Sequence, residues 1–221
     1  MKNIEGKVVV LGSQGVGKTS IIVRYVENAI HRHVSPTIGA SFFTCRLNIA
    51  DTKIKLQVWD TAGEERFRSM APMYYRNANA AMLVFDLTQY SSFAGIKTWV
   101  MELKRNVEEQ MILAVIGNKS DLFKDRQVDA EEGRTYATKI GASYHETSVP
   151  YNEGIENIFM TIANGLVRLS SGSSEIVTSL RITDSSSSIL TSSGIVLSPS
   201  EESAEDTSIA LGTYEKNHTC C

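Results

Sequence analysis

Residues 7–19 read Lys7-Val8-Val9-Val10-Leu11-Gly12-Ser13-Gln14-Gly15-Val16-Gly17-Lys18-Thr19. The first five form a short, apolar, largely β-branched run that stops at a glycine, the mark of a buried strand. The next eight fit G-x-x-x-x-G-K-[ST], the phosphate-binding pattern, and helical character follows over residues 17–28. Phosphates carry dense negative charge, so a loop that holds them must aim backbone N–H groups inward. Glycines permit that turn, and the following helix contributes the positive end of its dipole. Ser13, Gln14, Gly15, Val16, Gly17 and Ser20 are therefore expected to line the phosphate path. The Lys18 ammonium is expected at the β- and γ-phosphates, and the Thr19 hydroxyl on Mg²⁺.

Outward from this loop, strands and helices alternate. Residues 42–49 and 53–59 alternate apolar and polar side chains, and Ala50-Asp51-Thr52 between them suggests an antiparallel hairpin. Residues 80–87 and 111–116 read as buried strands. Ser91 begins a long helix with Ser92 as a candidate cap and Ile96, Trp99, Val100 and Leu103 on one face. A helix is expected over 130–140, a short strand over 143–145, and an amphipathic helix over 152–168 with Ile155, Ile158, Phe159 and Ile162 inward. This alternation implies an α/β fold, a mostly parallel sheet with helices on both faces. Ligands in such sheets sit outside the carboxyl ends of the strands, in loops.

The phosphate loop alone does not separate ATP from GTP. The sequence Asn118-Lys119-Ser120-Asp121 follows the strand that ends at residue 116. A carboxylate accepts two N–H bonds from the edge of guanine, and adenine offers no such pair, which makes Asp121 the specificity residue. An unpaired buried carboxylate costs about 1–3 kcal/mol or more, enough to discriminate. Asn118 is expected to bond the base and tie loops together, and the Lys119 stem to cover the base face. Asp60-Thr61-Ala62-Gly63 closes a strand, placing Asp60 for Mg²⁺ and the Gly63 N–H for a γ-phosphate. Thr37 precedes the hairpin and can complete the Mg²⁺ shell. Ser148 and Val149, after the last strand, can offer N–H groups to the guanine carbonyl.

The net charge of −3 over 221 residues gives no sign of nucleic-acid binding. No apolar run approaches the roughly 20 residues that span a bilayer, and no apolar leader opens the chain. The only cysteines are Cys45, Cys220 and Cys221, without metal-ligand spacing, which fits a reducing, cytosolic compartment. Beyond Arg168 the composition changes. Residues 170–221 include fifteen serines and a charge of −5, against +2 for the rest. Residues 169–221 are accordingly expected to be a disordered linker.

With these motifs together, residues 5–168 resemble a Rab protein of the Ras-like small GTPases, the P-loop GTPase fold with six strands. The similarity rests also on Ile38-Gly-Ala-Ser-Phe42, Lys55-Leu-Gln-Val-Trp-Asp60, Glu65-Arg-Phe-Arg-Ser-Met70, Tyr74-Tyr-Arg76 and Leu83-Val-Phe-Asp-Leu87. The resemblance implies GTP/GDP and Mg²⁺ as ligands and two switch segments, near residues 32–43 and 62–78, ordered by GTP. It implies Lys18, Thr37 and the residue after Gly63 in catalysis, and Ile38, Phe42, Trp59 and Tyr74 as a surface read by effector proteins. Further implied partners are an exchange factor, an activating protein, a prenylation escort and a GDP-dissociation inhibitor. The terminal Cys220-Cys221 resembles a double geranylgeranyl signal, since two lipid chains anchor stably where one does not. The expected place is the cytoplasmic face of an intracellular membrane, cycling with the cytosol as a monomer. The wording of residues 38–42 and 71–74 is most similar to the endosomal branch.

Four departures from the family pattern stand out, and the first two bear on the cycle. Glu64 stands where the family has glutamine, and an ionised carboxylate accepts hydrogen bonds but donates none. It also brings negative charge toward an anionic phosphate, which predicts slow hydrolysis. Ile30 stands where an aromatic meets the guanine edge, which predicts easier exchange. Gln14 varies among Rabs and carries little weight at this level, and Val149-Pro150 replaces the usual Ala-Lys. The expected function is a slow GTP-hydrolysing switch in vesicle traffic. The alternative is a constitutively GTP-loaded adaptor, and an ATP-using kinase is disfavoured by Asn118 to Asp121.

Overall fold

A computed structural model describes residues 2–30, 35–107 and 110–171. Cys220, Cys221 and the expected linker beyond residue 171 lie outside the described residues.

Six strands form one sheet in the order β2-β3-β1-β4-β5-β6. They are β1 (Lys2–Leu11), β2 (Ala40–Ile49), β3 (Thr52–Thr61), β4 (Ala80–Asp86), β5 (Ile112–Asn118) and β6 (Ser143–Thr147). Only β2 pairs antiparallel, against β3; every other neighbour is parallel. Among the described residues five α-helices accompany them: α1 (Lys18–Glu27), α2 (Ala71–Tyr75), α3 (Tyr90–Asn106), α4 (Ala130–Ile140) and α5 (Ile155–Ser170).

The period of two along β1 divides the core. Val8 and Val10 point to one face, where Ile21, Ile22 and Tyr25 of α1 meet Ile158, Phe159 and Ile162 of α5. Val9 and Leu11 point to the other, against Phe93, Ile96, Val100 and Leu103 of α3 and Ala137 and Ile140 of α4. Helix α1 is rich in Ile, Val and Thr, which are middling helix formers, so packing rather than propensity holds it. Tyr25 and Phe159 stack with ring centroids 3.7 Å apart, fixing α1 to α5. Such a pair adds about 0.5–1.5 kcal/mol beyond its buried area.

Several boundaries differ from expectation for identifiable reasons. The hairpin turn is Ala50-Asp51, with Ala50 at φ 47°, and Thr52 already belongs to β3. Ser92 is not the cap of α3. It is buried inside the helix, its Oγ accepting from the Asp86 N–H at 3.0 Å and donating to the Gln89 carbonyl at 2.7 Å. The cap position falls to Gln89, without a side-chain bond. Trp99 is only partly buried beside the α3 core face. Helix α5 begins at Ile155 rather than 152, because Asn152 (φ 58°) and Gly154 (φ 71°) are left-handed and cannot join a right-handed helix. Among the described residues, no helix is long and apolar enough to cross a membrane.

Candidate functional site

From β1 the chain winds outward in both directions, to β3 and β2 on one side and to β4, β5 and β6 on the other. The loops after β1, β3, β5 and β6 therefore meet at one end of the sheet, at the crevice where such folds hold ligands.

The loop after β1 turns on left-handed glycines, with Gly15 at φ 78° and Gly17 at φ 98°, before α1 starts. Two of its contacts leave no room for a side chain. A Cβ on Gly17 would lie 2.3 Å from Asn118 Nδ2, and one on Gly63 would lie 2.5 Å from Lys18 Nζ. The resulting cavity of about 450 Å³ is lined by Gln14, Gly15, Lys18, Thr19, Thr37 and Gly63, with Gly17 and Ser20 at its wall. Val16 points the other way, fully buried in the core, so only its backbone faces the loop. Lys18 is buried, and its ammonium donates to the Gly12 and Ser13 carbonyls at 2.8 and 2.9 Å. Burial pushes its pKa down to about 8 against the opposing pull of Asp60.

Three oxygens converge beside this cavity. Thr19 Oγ1 donates to Asp60 Oδ2 at 2.6 Å, Thr37 Oγ1 lies 3.3 Å from the same oxygen, and the two hydroxyls are 3.0 Å apart. Burial raises the Asp60 carboxyl, while the Thr19 bond, Lys18 and Thr37 hold it down. Its other oxygen, Oδ1, is buried with no hydrogen-bond partner among the described residues. An unsatisfied buried acceptor costs about 1–3 kcal/mol, so a hard cation fits this set of one carboxylate and two hydroxyls. Among the described residues no three His, Cys, Asp or Glu side chains cluster, so the hydroxyls are integral to any such site.

The second half of the crevice is built on Asn118 at the end of β5. Its amide donates to the Val16 carbonyl at 2.9 Å and its oxygen accepts from Thr147 Oγ1 at 3.0 Å. Ser148 Oγ donates to Asp121 Oδ1 at 2.7 Å and so orients the carboxylate. The expected use of the Ser148 N–H needs correction. That N–H donates to the Glu153 carbonyl at 3.1 Å. Lys119 is left-handed at φ 68°, a conformation costing about 1–2 kcal/mol for a residue with a Cβ. Its ammonium meets Asp86 Oδ2 at 2.7 Å.

Asp86 is a component that the sequence alone did not single out. It is 1% exposed, and Thr88 donates to its Oδ1 through both N–H and hydroxyl at 2.8 and 2.7 Å. Burial opposes its charge, but Lys119 and Thr88 outweigh that and hold the carboxyl below its usual range. A carboxylate at the end of an otherwise apolar strand was the available signal. Arg126 is a second, forking onto Glu146 and thereby bracing the strand end that carries Thr147 and Ser148.

Glu64 follows the cavity-lining Gly63, and Gln14 Nε2 donates to its Oε1 at 3.5 Å. Ile30 is half exposed at 51%. Phe42, Trp59 and Tyr74 form a continuous aromatic group on β2, β3 and α2, with centroids 5.3 and 6.1 Å apart. Each is partly buried rather than exposed, because the rings cover one another and Lys7 Nζ sits 5.2 Å over Trp59. Ile38, by contrast, is 78% exposed.

The family model for the Ras family matches residues 7–168. The chain is 48% identical over 165 residues to the Ras-related protein RabJ of Dictyostelium discoideum, covering 75% of this chain and 64% of that protein. It is 43% identical over 161 residues to human Ras-related protein Rab-21, covering 73% and 72%. It is 44% identical over 168 residues to Ras-related protein RABF2b of Arabidopsis thaliana, covering 76% and 84%.

Proposed function

The chain belongs to the Ras family as a small GTPase of the Rab type, and on that premise we propose that it is a slow, Mg²⁺-dependent GTP switch that recruits effectors to an endosomal membrane. The observation that carries the proposal is the convergence of Thr19, Thr37 and Asp60 beside Lys18, joined to the Asn118 and Asp121 loop through Val16.

Each residue has a task set by its position. The loop backbone and the Lys18 ammonium bind the phosphates. Thr19, Thr37 and Asp60 would hold Mg²⁺, which supplies neutralisation of charge on the transferring phosphoryl group. Asp121, oriented by Ser148, selects guanine, while Asn118 ties the base-binding and phosphate-binding halves together. Thr37 and Gly63 each lead into a segment whose order follows the γ-phosphate, so hydrolysis releases both segments and partners distinguish the states. Ile38, Phe42, Trp59 and Tyr74 lie on or beside those segments and form the surface that effectors read. Exchange factor, activating protein, prenylation escort and GDP-dissociation inhibitor act on the same cycle. Cys220 and Cys221 carry the lipids in this proposal, and the acidic stretch before them gives anionic lipid nothing to attract. The endosomal assignment is supported by the wording of residues 38–42 and 71–74.

Glu64 is half-buried and brings a carboxylate where a neutral donor serves relatives, which favours slow hydrolysis; in the limit the protein is a GTP-loaded adaptor. The test is displacement of fluorescent GDP by GTP and by ATP, with single-turnover hydrolysis of the wild type and Glu64→Gln. GTP displaces the probe, ATP does not, and Glu64→Gln raises the intrinsic rate. Equal displacement by ATP defeats the assignment of Asp121, and an unchanged rate defeats that of Glu64.

A further inference from the structure

Position 14 is the exposed crest of the phosphate loop, and the residue there is not small. Gln14 Nε2 donates to Glu64 Oε1 at 3.5 Å across 50 positions of the chain. The backbones explain why the two side chains meet. A Cβ on Gly63 would lie 2.4 Å from the Gln14 nitrogen and 2.6 Å from its Cα, so the chain just before Glu64 lies directly on the loop. Gln14 and Gly63, the residue just before Glu64, both line the cavity together with Lys18 and Thr37.

The chemistry of the pair is complementary. A carboxylate near an anionic phosphate is repelled, the more strongly where water is partly excluded. A hydrogen bond from an amide offsets part of that charge and fixes the carboxylate in place, and bonds to an ionised acceptor are stronger than neutral ones. Gln14 has the reach and the donors, and as a neutral side chain it adds no repulsion of its own.

We propose that Gln14 is the positioning residue for Glu64: its side-chain amide latches the carboxylate to the phosphate loop, so that the water-orienting task at position 64 is carried by a pair. This rests on the reading of the site as a GTP-hydrolysing switch. Without the latch, residues 62–65 lose a tether to the loop.

The test is a double-mutant cycle in the full chain with Gln14→Met, Glu64→Ala and the double variant. Methionine keeps the volume and removes the donor. Two readouts are taken: single-turnover GTP hydrolysis, and backbone hydrogen exchange at residues 62–65 in the GDP-loaded protein. Each single change is expected to slow hydrolysis roughly fivefold, the rate equivalent of one hydrogen bond, and the double change no further. Exchange at residues 62–65 is expected to quicken in both singles. Additive rate losses, an unchanged rate in Gln14→Met, or unchanged exchange at residues 62–65 each overturn the latch. If the wild type itself does not hydrolyse GTP, the switch proposed above gives way to the GTP-loaded adaptor, and hydrogen exchange alone decides the latch.

Discussion

The side-chain amide of Asn118 donates to the carbonyl of Val16 at 2.9 Å, although the two residues are 102 positions apart. With Thr147 donating to its oxygen, Asn118 joins the phosphate loop, the loop after β5 and the end of β6. Asn118→Ala removes both bonds at a site only 2% exposed. Each buried group left unpaired costs about 1–3 kcal/mol. The expected outcome is a lower melting temperature together with GDP release accelerated about tenfold or more, the equivalent of one such group. Thermal melts and stopped-flow release of a fluorescent GDP measure the two effects. Release at the wild-type rate would contradict the coupling of the two halves.

Gly17 faces the same asparagine. Its φ of 98° is foreign to residues with a Cβ, and the added methyl of Gly17→Ala would sit 2.3 Å from Asn118 Nδ2. The change should abolish nucleotide binding and destabilise the fold by about 1–2 kcal/mol from the backbone alone. Adding Asn118→Ala relieves the collision but not the backbone strain. The double variant should therefore melt closer to Asn118→Ala than additivity allows. Strict additivity in a denaturation series would refute the contact.

Most of the sheet was legible because periods of two and runs of apolar residues report directly on burial. Val8 to Leu11, Ala80 to Phe85 and Leu113 to Ile116 could be nothing but interior strands. What escaped were features that depend on long-range partners. Ser92 reads as a cap until Asp86 is seen to claim its hydroxyl, and Asn152 reads as helical until Gly154 turns the chain first. Helix α2, Ala71–Tyr75, is too short to show a period. The phosphate and guanine motifs were legible as motifs. That Asn118 ties loops together was legible too, but its partners were not, because nothing in local sequence tells that it will reach Val16 or that Lys119 will pair with Asp86. Gln14 is the sharpest case: its identity carries no signal alone and acquires one only beside Glu64.

Ile30 is half exposed at the end of the segment that follows α1, where an aromatic ring would have base-contact area to offer. Ile30→Phe should slow GDP release by about two- to tenfold, matching the roughly 0.5–1.5 kcal/mol of an aromatic contact. Release kinetics of a fluorescent GDP at fixed Mg²⁺ decide it. No slowing would remove residue 30 from the base contact.

His145 on β6 is partly buried, with Nε2 3.0 Å from Ser143 Oγ, and burial holds its imidazole below the usual range. Charging it is easier in the unfolded chain than in the folded one, so the unfolded state takes up the proton first as pH falls. Stability is therefore intact above the ordinary value of about 6.5 and declines as pH drops through the window below it. His145→Gln keeps a polar partner for Ser143 and removes the titration. Its melting temperature should fall less between pH 7 and pH 5 than that of the wild type. Parallel curves would assign the acid sensitivity to other groups.

Strand β1 lies in the middle of the sheet, yet both its neighbours come later in the chain. A ribosome delivers this strand before either neighbour, leaving both its edges unpaired for that interval. The phosphate loop follows at once but stays unbraced until Asn118 emerges, and Asp121 stays unoriented until Ser148 emerges. The nascent chain thus cannot grip a nucleotide while most of it is still being made. For that interval β1 is a natural client for chaperones. The first GTP or GDP to bind does more than load the protein: it draws the finished chain out of that company, because a ligand that binds only the folded state pulls folding to completion.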